Sequence, residues 1–325
     1  MNIAILGYGV VGTGVYEIIS NAVPGMKVKR VLDIKNISDS SVKKILTRDF
    51  DEILNISDIG IVVETMGGIE PAYSYVKEAL KKGKAVVTSN KELVALHGAE
   101  LIRIAEDSKV HFLFEASVGG GIPIIRTLRT SFANEKITEI RAVLNATTNY
   151  ILTQMSEHGA AYEEALEKAK RGGFAEKNAD NDVKGYDSAR KLAILISLIT
   201  GKHMDYTEIS TEGITNITSN DINNAKSKKC RIKLIAHARL EYYDGLTVTA
   251  KVEPTNIQDS DMLYFVQNED NAIAIKSDLL GETIFFGKGA GKFPTASAIV
   301  SDILEILKCK CQNIASFWSN DKLIL

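Results

Sequence analysis

Over the first 130 residues, apolar and polar positions alternate in blocks. Short continuous apolar runs stand at 3–6 (IAIL), 28–33 (VKRVLD), 59–64 (IGIVVE), 85–89 (AVVTS) and 110–116 (VHFLFEA). Runs this short, without polar alternation, are those of strands buried on both faces. Between them apolar residues recur at helical spacing over 10–21, 39–47, 71–82, 91–107 and 119–132. Such alternation predicts βαβ units and a parallel sheet covered on both sides, a Rossmann-type doubly wound α/β domain.

The pattern changes near residue 135. ITEIRAVLN (137–145) reads as a strand, ATTNYILTQMSEHG as a helix start, and helical spacing follows at 160–171 and 185–201. Apolar segments near 234–243, 246–253, 272–276 and 282–287 then predict a mixed sheet with helices on one side, an α+β domain. A last helix at about 293–308 is apolar over much of its surface and is expected to return to the first domain. The expected division is 1–132 and 133–291, with 292–325 packing back on the first part.

Composition narrows the class of protein. A length of 325 residues suggests about two domains. Hydrophobic residues at 45% and charged residues at 25% fit an ordinary soluble chain that buries a real core. With 39 Lys+Arg against 41 Asp+Glu there is no global field for nucleic acid or an acidic membrane, and no basic stripe or aromatic platform. No apolar run reaches the ~18 residues of a membrane span. The N-terminus is apolar, but Gly7, Gly9, Gly12 and Gly14 break it and no basic stretch precedes it, unlike a signal peptide. Three cysteines, Cys230, Cys309 and Cys311, are too few for a disulfide framework, which points to a reducing cytoplasm. Cys309 and Cys311 lack the second pair or nearby His that zinc needs.

Gly7-Tyr8-Gly9-Val10-Val11-Gly12 is a G-x-G-x-x-G that directly follows the first strand and opens a helix. The first glycine permits the tight turn, the second lets backbone approach a pyrophosphate, and the third allows close helix–strand packing. Backbone N–H groups and the helix dipole hold phosphate charge at such a turn. The alternative is a tight turn without a ligand. Asp33 ends the second strand, 21 residues past Gly12, where a carboxylate accepts hydrogen bonds from ribose hydroxyls and repels a 2′-phosphate. NAD is therefore expected over NADP by about one to two orders of magnitude, with Lys29, Arg30 and Lys35 placed to soften the preference. The bland alternative for Asp33 is a cap on the next turn.

The segment GGFAEKNADNDVKGYDSARKLAILISL (172–198) carries the densest chemistry. A Gly-rich acidic loop holds Glu176, Asp180 and Asp182 and runs into a helix bearing Asp187 and Lys191. Asp187 and Lys191 are four apart and share one helix face. On a surface such a pair contributes only ~0.3–0.5 kcal/mol. The neighbouring Ala189, Leu192, Ala193, Leu195 and Ile196 predict a buried helix, where charges need partners or a function. Carboxylates beside one lysine suit a zwitterionic substrate: the acids receive an ammonium and the lysine handles a proton. A second lysine, in Ser89-Asn90-Lys91, follows a strand at the sheet edge where α/β proteins bind ligands. EASVGGGIPII (115–125) and GKGAGKFPTA (287–296) are further Gly-rich turns, read either as ligand approach or as packing.

In GYGVVG, SNKELVA, EASVGGGIPII, NATTNYIL, GFAEKNADNDVKGYDSARKLAIL and GKGAGKFPTASAIVSDI, in that order, the chain resembles the homoserine dehydrogenase family over nearly its whole length. The resemblance implies an NAD- or NADP-dependent oxidoreductase that interconverts L-homoserine and L-aspartate 4-semialdehyde, in threonine, methionine and isoleucine biosynthesis. It implies Lys191 as proton donor to the aldehyde oxygen, with Lys91 beside cofactor and substrate. Glu176 and Asp187 would bind substrate, Asp182 would support them, and Thr147 would lie nearby. Glu115, Val118, Gly120 and Ile122 match a segment that holds a monovalent cation such as sodium, mostly through carbonyl oxygens. Gly289 would lie against the cofactor. The resemblance also implies a homodimer, the second domain serving substrate binding and dimerisation. Ala146 stands where the family usually has Gly, and Ala179 where a loop proline is common. Many relatives carry a C-terminal domain that binds threonine; a short form without that feedback is expected here. The rival readings are another NAD-dependent dehydrogenase of a small amino-acid-derived aldehyde or hydroxy acid, and a dinucleotide sensor without chemistry.

Overall fold

The computed structural model describes residues 1–175, 178–308 and 318–323. Two compact units emerge: Met1–Arg126 with Thr200–His203 and Gly291–Asp321, and Thr127–Ile199 with Met204–Ala290 and the last residues.

In the first unit the elements run β1 (Asn2–Leu6), α1 (Val10–Ala22), β2 (Lys27–Leu32), α2 (Ser40–Lys43), β3 (Leu46–Thr47), α3 (Phe50–Leu54), β4 (Ile59–Glu64), α4 (Ala72–Lys81), β5 (Ala85–Thr88), α5 (Lys91–Asp107), β6 (Phe112–Leu113) and α6 (Ile124–Thr130). The strands form one parallel sheet in the order β3-β2-β1-β4-β5-β6, the doubly wound arrangement that the apolar blocks predict. Its core is Ile3, Ile5, Val31, Ile61, Val63 and Val87, closed by Val15 and Ile19 of α1.

The chain continues with β7 (Ile137–Val143), α7 (Ala146–His158), α8 (Tyr162–Arg171), α9 (Asp180–Val183), α10 (Tyr186–Thr200), β8 (Lys202–His203), β9 (Ser210–Thr211), α11 (Ser219–Ser227), β10 (Cys230–Glu241), β11 (Thr247–Gln258), β12 (Asp270–Ser277) and β13 (Gly281–Lys288); β8 belongs to the first unit and the others to the second. The sheet of the second unit runs β13-β12-β7-β10-β11-β9, antiparallel except for the β11–β9 pair. The last helix, α12 (Lys292–Lys308), belongs to the first unit, where Ala296, Ile299 and Ile303 join the core. Gly14 makes that packing close: a Cβ there would stand 2.9 Å from Lys292 O and 3.0 Å from Ala296 Cβ. β14 (Ser319–Lys322) follows, and Cys309 and Cys311 lie outside the described residues.

Three predicted elements differ. The helix expected over 39–47 is one turn, after which Leu46–Thr47 pairs in parallel with Val31 and Leu32 as an edge strand. The helix expected over 119–132 begins only at Ile124, because Gly119 (φ 74°) and Gly120 (φ 58°) hold left-handed conformations that a right-handed helix excludes. The strand expected over 110–116 shrinks to Phe112–Leu113, and Glu115–Ser117 curls into a 3₁₀ turn.

Candidate active site

In the first unit the glycine loop sits between the ends of β1 and β4. Gly7 has φ 91°, and a Cβ on it would lie 2.9 Å from the Thr65 and Met66 backbone. A Cβ on Gly12 would lie 2.0 Å from Gly7 O, so α1 can approach its own strand only with glycine there. Gly9, by contrast, has open space beside it. It precedes α1, whose first turn has neither a side-chain cap nor an acidic residue, and the Val10 side chain that follows is exposed while Val11 is half-buried. Those features suit a diphosphate at the helix N-terminus.

Asp33 fixes this loop. Its Oδ2 accepts the Tyr8 N–H at 2.7 Å and its Oδ1 the Lys35 N–H at 2.8 Å. The half-buried Tyr8 ring meets Tyr16 edge to face, and burial pushes its phenol up to about 12. Gly7, Gly9, Asp33, Lys35, Arg48 and Thr65 are among the residues around a cavity of about 330 Å³. The basic residues expected near Asp33 separate here. Lys35 lines the cavity, whereas Lys29 pairs with Asp58 and Arg30 donates to Lys29 O. Arg48, just past β3, lines it too and donates to Asn36 Oδ1 at 2.9 Å. Lys91 is the first residue of α5, half-buried, behind the N-cap Asn90.

The Glu115 segment is also in this unit. The Glu115 carboxylate accepts the N–H groups of Ile125 (2.8 Å) and Arg126 (2.7 Å), and its own N–H donates to Asp302 Oδ2 at 2.9 Å. Arg126 bridges Asp302 and Glu305 of α12. Burial, with Glu115 alongside, pushes Asp302 up to about 8. Val118, Gly120 and Ile122 are buried. The Ile122 carbonyl accepts the Ile124 N–H.

In the second unit the lysine–carboxylate cluster is assembled from three segments. Lys191 and Asp187 pair at 2.7 Å on α10, with side chains 10% and 2% exposed, so the exposed-surface reading of this pair does not apply. Lys191 Nζ also donates to Leu144 O at 2.8 Å. Asn145 caps α7, its Oδ1 accepting the Thr148 N–H. Its Nδ2 donates to Asp187 Oδ2 (2.9 Å) and Asp182 Oδ1 (2.7 Å). The Thr147 hydroxyl donates to Phe174 O at 2.6 Å and stands 3.2 Å from Asp182 Oδ2. Asp180 points elsewhere, in an exposed pair with Lys184. Glu176 lies outside the described residues. Gly289 is explained by packing: a Cβ there would stand 2.1 Å from the buried side chain of Asn271.

A family model described as "Homoserine dehydrogenase" matches residues 123–304, and one described as "Homoserine dehydrogenase, NAD binding domain" matches 7–115. The homoserine dehydrogenase of Lactococcus lactis is 40% identical over 95% of this chain and 74% of its own length. A homoserine dehydrogenase structure from Thiobacillus denitrificans superposes with TM-score 0.91 at 32% identity, covering 100% of this chain and 79% of that one. The chain belongs to the homoserine dehydrogenase family. A hyperthermophilic archaeal homoserine dehydrogenase in complex with NADPH is also similar, at TM-score 0.78 and 28% identity over 94% of this chain and 97% of that one.

The first unit thus contains a homoserine dehydrogenase NAD-binding domain. Of the residues singled out in the sequence, Lys191, Asp187, Asp182 and Thr147 come together within one hydrogen-bonded cluster. Asn145 joins them and was not foreseen, although Asn directly before a helical pattern is a legible cap. Arg48 was also missed, because the strand just before it, Leu46–Thr47, read as the end of a helix. Among the described residues no group of three or more His, Cys, Asp or Glu could hold a metal ion, and no helix is long and apolar enough to cross a membrane.

Proposed function

We propose that the second unit's cluster is where this homoserine dehydrogenase binds the amino-acid end of its substrate and moves the proton. One observation carries the reading: a buried Lys191–Asp187 pair joined through Asn145 to Asp182. A bound nicotinamide cofactor would supply the hydride or accept it. Lys191 donates its proton to the aldehyde oxygen as negative charge grows there; two of its three N–H groups serve Asp187 and Leu144, and the third serves substrate oxygen. Asp187 keeps the ammonium aimed. Asp182, held by Asn145 and beside Thr147, receives the substrate ammonium, a role assigned to Glu176 as well. In the oxidising direction Lys191 takes the hydroxyl proton. Lys91 is a further residue assigned to the reaction.

For the cofactor, Gly9 and the uncapped α1 take the diphosphate, Asp33 takes the adenosine ribose, and Lys35 and Arg48 offset its repulsion of a 2′-phosphate. NAD is preferred by about tenfold, at the lower end of the sequence-based expectation. A monovalent cation is held by main-chain carbonyls of Glu115, Val118, Gly120 and Ile122, oxygen donors suited to a hard ion. The protein works in the cytoplasm, as a homodimer.

The test is absorbance of the reduced nicotinamide with L-homoserine at alkaline pH, NAD and NADP side by side. Turnover with NAD, a ratio raised by Arg48→Ala and narrowed by Asp33→Ala, is the expected result. No turnover with either cofactor would leave the non-catalytic sensor. A strong NADP preference in wild type would remove Asp33 from the ribose.

A further inference from the structure

Glu64, the last residue of β4, is fully buried and takes no part in the chemistry above. Its Oε1 accepts the N–H groups of Met66 (2.8 Å) and Gly67 (3.2 Å), and its Oε2 accepts the hydroxyl of Thr88 at 2.5 Å, at the end of the adjacent strand β5. Thr88 Oγ1 accepts the Asn90 N–H at 2.9 Å. Asn90 reaches back: its Nδ2 donates to Gly68 O at 2.6 Å, while its Oδ1 accepts the Leu93 N–H at 3.1 Å and caps α5. One carboxylate therefore ties together two loops at the carboxyl edge of the sheet. The loop after β4 supplies Thr65, Met66 and Gly67 to the cavity beside the glycine turn. The loop after β5 ends at Lys91.

A buried acid in a central parallel strand is expensive, and an apolar side chain would fill the position at lower cost. Burial pushes the Glu64 carboxyl up against the pull of its donors. Its presence calls for a role beyond filling the core.

We propose that Glu64, Thr88 and Asn90 form a positioning clamp that sets Lys91 against the cofactor-lining loop, so that cofactor affinity and turnover depend together on a link touching neither ligand. This rests on the role given to Lys91 above.

Thr88→Val removes the hydroxyl at near-constant volume, and Thr88→Ser restores it. Full-length variants are compared by equilibrium titration with NAD alone and by homoserine oxidation. Thr88→Val is expected to weaken NAD about three- to tenfold and to lower kcat about ten- to a hundredfold. The KM for homoserine should stay within about twofold, because its binding groups lie in the second unit. Thr88→Ser recovers both losses. Glu64→Gln keeps the Met66 and Gly67 bonds but loses the acceptor facing Thr88. It should match the kcat loss, and the double variant should be no worse than either single, as for two groups making one link. A lowered melting temperature with wild-type NAD affinity and kcat would make the network merely structural and overturn the clamp, as would additive losses. Lys91→Ala separates the two ideas: wild-type turnover there sinks the Lys91 role, whereas an impaired Lys91→Ala beside an unimpaired Thr88→Val sinks the clamp alone.

Discussion

At the scale of single residues, burial converts ordinary pairs into chemistry. Asp187 and Lys191 would contribute little on an exposed helix. Nearly dehydrated, each holds the other in one geometry, and removing either leaves a charge without its counterpart. Lys191→Ala is expected to lose about 10²–10⁴-fold in kcat, while NAD affinity stays within about twofold because the phosphate groups are met in the first unit. Substantial turnover with an unchanged pH profile would assign the proton to Lys91 or water. Lys233 shows the opposite case, a buried lysine with no ion-paired carboxylate among the described residues. Its Nζ donates to Asn149 Oδ1 at 2.9 Å and to Val266 O, and burial brings it down to about 7. Unfolded, it would keep its proton to ~10.4. Between about pH 7 and that value the unfolded chain binds more protons, so Lys233 makes folding stability rise with pH, by at most ~1.4 kcal/mol per unit. Urea denaturation of wild type and Lys233→Met at pH 7, 8 and 9 checks this: the stability difference should shift towards wild type as pH rises. A pH-independent difference would show that Lys233 stays charged in the fold.

At the scale of elements, β1–turn–α1 was legible because its constraints are local. The strand is apolar from Ile3 to Leu6, and three glycines at fixed offsets do different steric jobs. Gly12→Ala tests the strictest of them. Its Cβ would overlap Gly7 O, so α1 must move off the strand. We expect a loss of about 1–3 kcal/mol of stability and at least tenfold weaker NAD binding, read by thermal melting and titration; unchanged affinity would detach the turn from the cofactor. Elements built on long-range contacts were less legible. The 39–47 segment has helical spacing, but Leu46 and Thr47 gain more by pairing with Val31 and Leu32. The stretch after β6 turns early because the Glu115 N–H goes to Asp302, 187 residues away, instead of to a strand.

At the scale of the whole molecule, the α12 helix completes the core of the first unit although it follows the second in sequence. The return was readable from its apolar surface. In the second unit Phe286 on β13, and Met262 and Phe265 in the 3₁₀ turn before β12, are more than half exposed, at 61%, 60% and 58%. Large apolar side chains left in water favour association. Light scattering at micromolar concentration should report twice the 35.5 kDa chain mass; a single-chain mass would sink the dimer.

Strand–helix alternation, the glycine turn and the presence of a lysine–carboxylate site were determined by the sequence alone, because each is written within about 30 consecutive residues as a period or a spacing. Spacing did not decide which acids join the lysine's hydrogen-bonded cluster: the family resemblance pointed to Asp182, and the tertiary structure brings it there. Asp180 and Asp182 are equivalent by spacing, yet Asp182 meets Asn145 and Thr147 while Asp180 pairs with exposed Lys184. The Glu115 carboxylate, one acid among many in the sequence, turns inward onto two backbone N–H groups. Glu64 reads as the end of an apolar strand until β5 is laid beside it and Thr88 comes within reach. Lys233, 84 residues from Asn149, is a strand lysine until both are buried together. In each case the deciding energy is the desolvation of a polar group, and its sign depends on partners that only folding brings near.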